Sequence, residues 1–147
     1  MRRDWRASNR DAEVSKRSSL QSYINTSVAP GKTKDDIESL LQRVGADAFR
    51  WSSMAEHETL EASLQWEGMR VGFRLSIDYE NDKQRKQKLR ALFWYLKAKI
   101  EAIQFGLVDL EHEFLPYLLT ASGRTVFEEL PAEKRSGWLL EPPREAP

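Results

Sequence analysis

The residues best suited to catalysis in this 147-residue chain are two histidines and the acids near them. His112 lies between Glu111 and Glu113, and imidazole and carboxylate groups are common metal ligands. Adjacent residues of a helix point in different directions, however, and no second ligand follows three or four positions later. The simpler interpretation is a charged, exposed helix N-terminus. His57 stands alone in a predicted loop.

A second group of acids alternates along the chain and could meet a hard cation such as Mg²⁺. Asp78, Glu80 and Asp82 form this group, but helix capping and turn formation explain them without a metal. The Gly-Lys-Thr at 31–33 ends like a phosphate-binding loop without its earlier glycine or spacing. A metal-dependent hydrolase using Asp78, Glu80 and Glu111 is the weakest alternative. We expect no enzyme activity, no cofactor, no metal site and no small-molecule substrate.

Positive charge is concentrated at the start of a predicted helix. Five cations fall within eight residues: Lys83, Arg85, Lys86, Lys88 and Arg90. The helix dipole disfavours positive charge at this end, so such a cluster is consistent with use of the cations on phosphate. Trp94 and Lys97 share a face with Arg90, and an aromatic ring beside cations is typical of single-strand binding by base stacking.

Three arginines of the predicted sheet are further candidates for nucleic-acid contact. Arg50, Arg70 and Arg74 share its open face, although Glu61 and Glu67 partly neutralise them. The predicted nucleic-acid-binding residues are therefore Lys83, Arg85, Lys86, Lys88, Arg90, Trp94, Lys97, Arg50, Arg70 and Arg74. The alternative is a helix made soluble by Lys and Arg, with its tryptophan buried against the tail or a dimer partner.

The net charge of zero, from 23 basic and 23 acidic residues, hides a strong segregation of charge. The segments 1–23, 24–82, 83–99, 100–130 and 131–147 carry +3, −5, +7, −5 and 0. Alternating blocks of this kind suit self-association, either head-to-tail or isologous. The acidic stretch after residue 100 and the Leu-rich segments near the C-terminus are a candidate partner surface. We therefore expect a protein partner or a homo-oligomer, with DNA or RNA as a further possible partner.

The length suits one domain with tails. We predict a basic flexible arm at 1–21, a single α+β domain at 22–130 and a Pro-rich C-terminal tail at 131–147. No apolar run approaches the ~18 residues of a membrane helix, and no signal core is evident. The sequence therefore predicts a cytoplasmic protein with no membrane partner.

The elements that must position these residues form a small antiparallel sheet of three to five strands with helices packed on one face. The predicted order is β-α-β-β-β-α-α-β. The strands are Ser22–Val28, Ala48–Ser52, Thr59–Trp66, Met69–Ile77 and Gly123–Phe127, of which the last is a short strand or an extended arm. The helices run from an N-cap at Thr33 to Gly45, from Asp82 to about Phe105, and from Leu110 to Leu119 with a break at Pro116.

A two-residue hairpin turn at Glu67-Gly68 sets the register of the two central strands. It predicts six facing pairs: Trp66–Met69, Leu64–Val71, Ala62–Phe73, Leu60–Leu75, Glu61–Arg74 and Gln65–Arg70. Every apolar residue then lies on one face, and a slip by one residue would move all of them to the other face.

The stretch Arg90–Leu119, with its RAL-x-W-x-LKA and EFLP elements, resembles a family of small, mostly uncharacterised proteins of phages and integrated elements. The resemblance covers about residues 24–130 and includes Thr26-Ser27-Val28 and the GRTVFEEL at 123–130. It implies a mobile-element context and no catalytic residues. The basic segment Tyr79–Lys88 and both tails depart from the family pattern, so the resemblance implies no role for them.

These observations together favour a non-enzymatic accessory protein of a phage or mobile element. It would bind a nucleic-acid-processing complex, with its cationic helix in contact with DNA or RNA. The alternative is a purely protein-binding adaptor or inhibitor, or a self-assembling structural protein, that uses the acidic surface and the tail.

Overall fold

A three-stranded antiparallel sheet forms the centre of the fold. The computed structural model describes residues 23–139. The strands are β1 (Ala46–Met54), β2 (His57–Trp66) and β3 (Met69–Asp78), hydrogen-bonded in the order β1-β2-β3. The helices are α1 (Pro30–Gln42), α2 (Asp82–Gln104), α3 (Leu110–Phe114), a 3₁₀ turn (Leu115–Tyr117), α4 (Val126–Glu129) and α5 (Ala132–Trp138). The predicted α+β class with a small antiparallel sheet is confirmed.

The register of the β2–β3 hairpin is the one that the turn predicts. All six predicted pairs are present, including Trp66 with Met69 and Glu61 with Arg74. Glu67 and Gly68 both have positive φ, 48° and 77°, as a two-residue turn matching the twist of the strands requires. Alternation of apolar and polar residues therefore sends one face of each strand to the core.

The two long helices cover that apolar face. Leu60, Ala62, Leu64, Phe73 and Leu75 of the sheet are buried. They pack in one cluster with the buried positions of the helices, which are Ile37, Leu40 and Leu41 of α1 and Leu96 and Ile100 of α2. Helices packed on one face of the sheet are thus confirmed.

Helices α1 and α2 lie side by side and run in the same direction. Arg90 Nη1 of α2 donates to Asp36 Oδ2 of α1 at 3.0 Å. Two turns further along both helices, Arg43 of α1 and Lys97 of α2 line one cavity. The partners in both pairs are 54 residues apart in sequence, so the two helices advance together. Their N-termini consequently lie at the same end of the sheet.

The predicted first strand is wrong for the part of it that the structure describes. Tyr23 and Ile24 are helical, and residues 26–29 have no regular structure. Its backbone groups find partners outside a strand ladder. Gln87 Nε2 donates to the Ile24 carbonyl at 2.8 Å, the Val28 amide donates to Thr26 Oγ1 at 3.2 Å, and the Thr26 amide donates to the Tyr23 carbonyl at 3.4 Å. Ser22 lies outside the described residues.

The predicted last strand is also wrong. Thr125 makes one isolated bridge to Leu119 and then begins α4 as its N-cap. Its side chain accepts from the Glu128 amide, and the Glu128 side chain reaches back, which is a complete capping box. This Thr-x-x-Glu pattern outweighs the strand propensity of the Thr-Val-Phe segment.

The boundaries of the other helices differ from the predictions in two places. The N-cap of α1 is Ala29, not Thr33, because Pro30 fits the first helical position and starts the helix one turn earlier. Thr33 is buried inside α1. The helix that begins after Asp109 ends at Phe114, and Pro116 follows in the 3₁₀ turn, which confirms the predicted break.

Candidate nucleic-acid interface

The five cations of the 83–90 block point to three parts of the surface of α2. Each residue advances 100° around the helix. Arg85 therefore lies on the same side of α2 as the buried Leu89, and Lys88 lies on the flank next to the end of β3. Lys83, Lys86 and Arg90 fall on the other flank, which faces α1. The block that looks continuous in sequence is therefore divided in space.

Arg85 is the partner of a buried carboxylate. Glu58 occupies a core-facing position of β2, two residues before Leu60, and is 1% exposed. Arg85 Nε donates to Glu58 Oε1 at 2.7 Å, and the same guanidinium makes a second, Nη2 contact. Ser53 Oγ donates to Oε1 at 3.0 Å, and Lys34 Nζ lies 3.0 Å from Oε2. Arg85 thus neutralises an internal charge.

The Glu58 carboxyl remains ionised because of these partners. Burial alone would raise its pKa, but the contacts with Lys34, Arg85 and Ser53 outweigh burial and lower the pKa below the ordinary glutamate value. Lys34 belongs to α1 and Arg85 to α2, so one carboxylate of β2 ties the first turns of both helices to the sheet.

Lys88 lies beside a hydrogen-bonded relay at the end of the sheet. Its Nζ donates to the Asp78 carbonyl, and both residues line a cavity of about 500 Å³ together with His57. His57 Nδ1 is 2.6 Å from Asp78 Oδ1, and its Nε2 is 3.0 Å from Thr59 Oγ1. An acid, an imidazole and a hydroxyl in this order resemble a nucleophilic relay. Thr59 does not line the cavity, however, so the hydroxyl and this cavity are separate.

The acids proposed for a metal are not gathered into one site. Asp78 pairs with His57, the Glu80 backbone amide donates to Gln84 Oε1 at 2.9 Å, and Asp82 is the first residue of α2. Within residues 23–139, no group of three or more potential ligands could hold a metal ion.

The α1-facing flank of α2 carries the remaining cations of the block. Asp36 of α1 receives two cations, Lys32 Nζ at 2.6 Å and Arg90 Nη1 at 3.0 Å. Hydrogen bonds from Lys32 and Arg90 lower the pKa of the Asp36 carboxyl. Lys83 and Lys86 lie nearby and, among the described residues, form no ion pair within 4 Å. Both therefore have their charge available to a ligand.

Arg43 extends this flank toward the other end of the helices. It lines a cavity of about 270 Å³ with Lys97, Phe93 and Leu40, and like Lys83 it makes no ion pair within 4 Å to any described residue. We call the surface between the two helices the cationic groove. It consists of Lys32, Asp36, Arg43, Lys83, Lys86, Arg90 and Lys97, with a net charge of +5.

Trp94 sits beside the groove with cations on its ring, as the sequence predicts. The side chain is 36% exposed, and Lys97 Nζ lies 4.9 Å from the ring centroid. Arg90 Cζ lies 6.0 Å from the same centroid and 4.2 Å from that of Phe93. A base could stack on Trp94 only where Lys97 leaves the ring.

The sheet arginines do not join the helix cations. They lie on the face of the sheet opposite to α1 and α2, and each has an acidic neighbour. Arg50 Nη2 is 2.9 Å from Glu61, Arg70 Nη2 is 3.2 Å from Asp47, and Arg74 is 3.9 Å from Glu61. The structure thus places five of the ten predicted residues at the groove and three on the open face of the sheet, while Arg85 pairs with the buried Glu58 and Lys88 lies at the end of β3. The sheet surface is the more neutralised of the two larger groups.

Sequence reasoning missed three residues that the structure brings into these clusters. Lys32 and Arg43 line the groove from α1, and with Asp36 they are spaced i, i+4, i+11, which places all three on one side of a helix. Glu58 was missed as well, although its even spacing from Leu60 and Ala62 places it on the core face. An acid at a core-facing strand position signals an internal counterion.

Comparison with models of protein families, with curated proteins and with solved structures finds no match to this chain. No helix within the described part of the chain is long and apolar enough to cross a membrane. The functional argument therefore rests on the geometry of the groove.

Proposed function

We propose that this protein binds nucleic acid through the cationic groove. The observation that carries the proposal is the parallel placement of α1 and α2, which adds Lys32 and Arg43 to Lys83, Lys86 and Lys97 on one side of the molecule. A line of cations on rigid helices matches the repeating phosphates of a nucleic-acid backbone, and phosphate contacts of this kind are largely independent of sequence.

The proposed phosphate contacts come from the cations that have no acidic partner. Lys83, Lys86 and Arg43 have none within 4 Å among the described residues, whereas Arg90 is already paired with Asp36. Trp94 would contribute at the edge of the groove, either by stacking on a base or by filling a partner's pocket. The wider role, as an accessory protein of a phage or mobile element in a nucleic-acid-processing complex, is supported by the sequence resemblance over 24–130.

Salt dependence tests the proposal. The full-length protein is titrated into labelled single- and double-stranded DNA and RNA of equal length, from 50 to 200 mM salt. We expect log K to fall linearly with log salt, by about 0.9 for each neutralised phosphate of duplex DNA. Lys83→Glu with Lys86→Glu should reduce this slope by about 2 and weaken binding to every sequence alike.

The matched control reverses two arginines on the opposite face, Arg50→Glu with Arg70→Glu. It changes the net charge by the same amount but leaves the groove intact, so affinity should remain within about threefold, a change of less than 1 kcal/mol. Absence of salt-sensitive binding to all four nucleic acids at low salt would refute the proposal. Equal losses in the two double variants would show that only the net charge matters and would refute the groove as the site.

A second candidate function, a protein-binding adaptor or inhibitor, is favoured by a different observation. Phe105, Leu107, Trp138 and Leu139 are 88%, 74%, 66% and 77% exposed, which is unusual for large apolar side chains. This function predicts a stoichiometric partner in a pulldown with the full-length chain. The partner should be lost on Trp138→Ala or on truncation after Leu130, and a partner that survives both changes would refute this use of the tail.

A further inference from the structure

One side of α2 carries large exposed residues that face neither the sheet nor α1. Trp94, Ala98, Glu101 and Phe105 follow one another at i, i+4, i+7 and i+11, so they lie in a line along the helix. All four are exposed, Trp94 by 36% and Phe105 by 88%. We call this line the α2 stripe.

The neighbouring elements pack against other sides of α2. Asp36 of α1 meets Arg90 on one flank, and Glu113 of α3 meets Lys99 on the other. The stripe lies between these flanks, on the side remote from the buried Leu96 and Ile100. It is therefore a rigid, accessible helix surface with an aromatic side chain at each end.

The α2 stripe is complementary to the stripe of a second copy that runs in the opposite direction. If a second α2 lies antiparallel with the twofold axis between residues 99 and 100, Trp94 of one copy faces Phe105 of the other. Lys97 then lies beside the second copy's Glu101, and Ala98, which is small, lies next to the axis. The aromatic pair and the charge pair each occur twice, and Lys97 is offset from the level of Glu101 by one residue.

The intramolecular contacts leave these charges available for such pairing. Lys97 and Glu101 of the same helix are only loosely paired, with Nζ 3.9 Å from Oε1, and their side chains are 36% and 57% exposed. Glu101 of one copy can therefore pair with Lys97 of the other.

We propose that the protein forms a twofold-symmetric homodimer in which the α2 stripe of each copy packs antiparallel on that of the other. Twofold dimers with self-complementary interfaces are the commonest protein assemblies. Burial of the two Trp94–Phe105 contacts removes the most exposed aromatic side chain of the described chain from water.

The dimer leaves the first turns of α2 outside the interface. With a rise of 1.5 Å per residue, Lys86 lies about 20 Å from the axis, so the two copies present their Lys83–Lys86 clusters about 40 Å apart. Lys97 belongs to the groove as well and Trp94 lies beside it, whereas Lys83 and Lys86 lie outside the dimer interface. Sedimentation without nucleic acid therefore tests the dimer, and the variant with Lys83→Glu and Lys86→Glu tests the groove, so failure of one proposal is distinguishable from failure of the other.

Reciprocal charge reversal tests the arrangement. The chain has a mass of 17.1 kDa, and we expect the wild-type protein at tens of µM to sediment with twice that mass. Lys97→Glu and Glu101→Lys should each be monomeric, because both interface pairs then carry like charges. An equimolar mixture of the two variants should again sediment as a dimer, since the mixed dimer restores both opposite-charge pairs.

A cross-link locates the interface. The chain contains no cysteine, so Ala98→Cys introduces a single thiol beside the proposed axis. Mild oxidation should convert this variant to a disulfide-linked dimer, while Ser52→Cys, on the far side of the sheet, should remain monomeric on a reducing-agent-free gel. Phe105→Ser should reduce the cross-linking of Ala98→Cys at least tenfold, and circular dichroism shows whether this exposed substitution leaves the fold intact.

Three results would overturn the proposal. A wild-type protein that is monomeric at 100 µM would refute it, and so would a mixture of the charge variants that remains monomeric. A photo-cross-linker at position 105 of the full chain identifies the occupant of the stripe. Attachment to α2 of a second copy supports the dimer, whereas attachment to residues 1–21 of the same chain would show that the stripe is covered from within and would refute it.

Discussion

The buried carboxylate of Glu58 leads to the most direct prediction about stability. Glu58→Gln keeps the shape of the side chain and removes its charge, leaving Lys34 and Arg85 without their acidic partner. Breaking a fully buried ion pair from one side costs about 3–5 kcal/mol. Lys34 and Arg85 keep 18% and 27% of their side-chain surface exposed, so water partly solvates them. We therefore expect the free energy of unfolding to fall by about 2–3 kcal/mol at pH 7.

Equilibrium unfolding in urea at pH 7 measures this loss. The midpoint should fall with an unchanged m-value, because the substitution changes an interaction and not the surface exposed on unfolding. The matched control is Asp47→Asn, which breaks the pair with Arg70 on the same sheet. Its side chain is 58% exposed, so the loss should be no more than about 1 kcal/mol.

The pH dependence provides a second readout of the same interaction. The pKa of Glu58 is lower in the folded than in the unfolded chain, so its contribution is present above the unfolded pKa and is lost as the pH falls through the folded pKa. The difference between wild type and Glu58→Gln should therefore narrow in acid. A loss below about 0.5 kcal/mol at pH 7, or a difference that stays constant as the pH falls, would refute the assignment of Glu58 as an ionised tie between the two helices.

Three local features make further predictions that thermal and urea unfolding can check. Glu67→Asn should raise the free energy of unfolding by about 0.5–1 kcal/mol, because Asn tolerates the positive φ of 48° better than Glu does; a decrease would contradict the turn geometry. Thr125→Ala should lower it by about 1 kcal/mol through loss of the capping box, and Thr125→Ser should retain most of the stability. Gly72→Val should lower it by about 1–3 kcal/mol, because even a Cβ at this position lies 3.2 Å from Leu119 Cδ1; stability equal to wild type would show that Leu119 moves freely.

The central sheet could be predicted from local rules because each of its constraints lies within a few residues. The Glu67-Gly68 turn and the alternation along β2 and β3 leave one register that buries every apolar side chain. The two errors at the ends of the domain have a different origin. Segments 23–28 and 123–127 have strand-like composition, but their backbone partners are Gln87 and the Glu128 capping box, respectively. Strand propensity does not reveal whether a ladder partner exists.

The candidate site was predictable only in part because a cluster of cations in sequence does not show where each one points. The helical period alone places Arg85 toward the core and Lys83 toward α1, and the sequence pattern does contain that information. The contribution of Lys32 and Arg43 depends on the parallel packing of α1 on α2, which is a tertiary contact between residues 54 positions apart. No local pattern encodes this contact.

The separation of the cations explains how a chain of zero net charge can carry a basic surface. Acids and bases that meet inside the fold, such as Glu58 with Arg85, cancel there and contribute nothing to the external field. On the open face of the sheet, Glu61 lies near both Arg50 and Arg74. In the groove, by contrast, Asp36 pairs with Lys32 and Arg90 and Glu101 lies near Lys97, while Lys83, Lys86 and Arg43 form no ion pair within 4 Å of a described residue. Unpaired cations on one side of the fold attract a polyanion even when the net charge is zero. Screening limits the range of each charge to about 10 Å at 0.1 M salt, so distant acids do not cancel them.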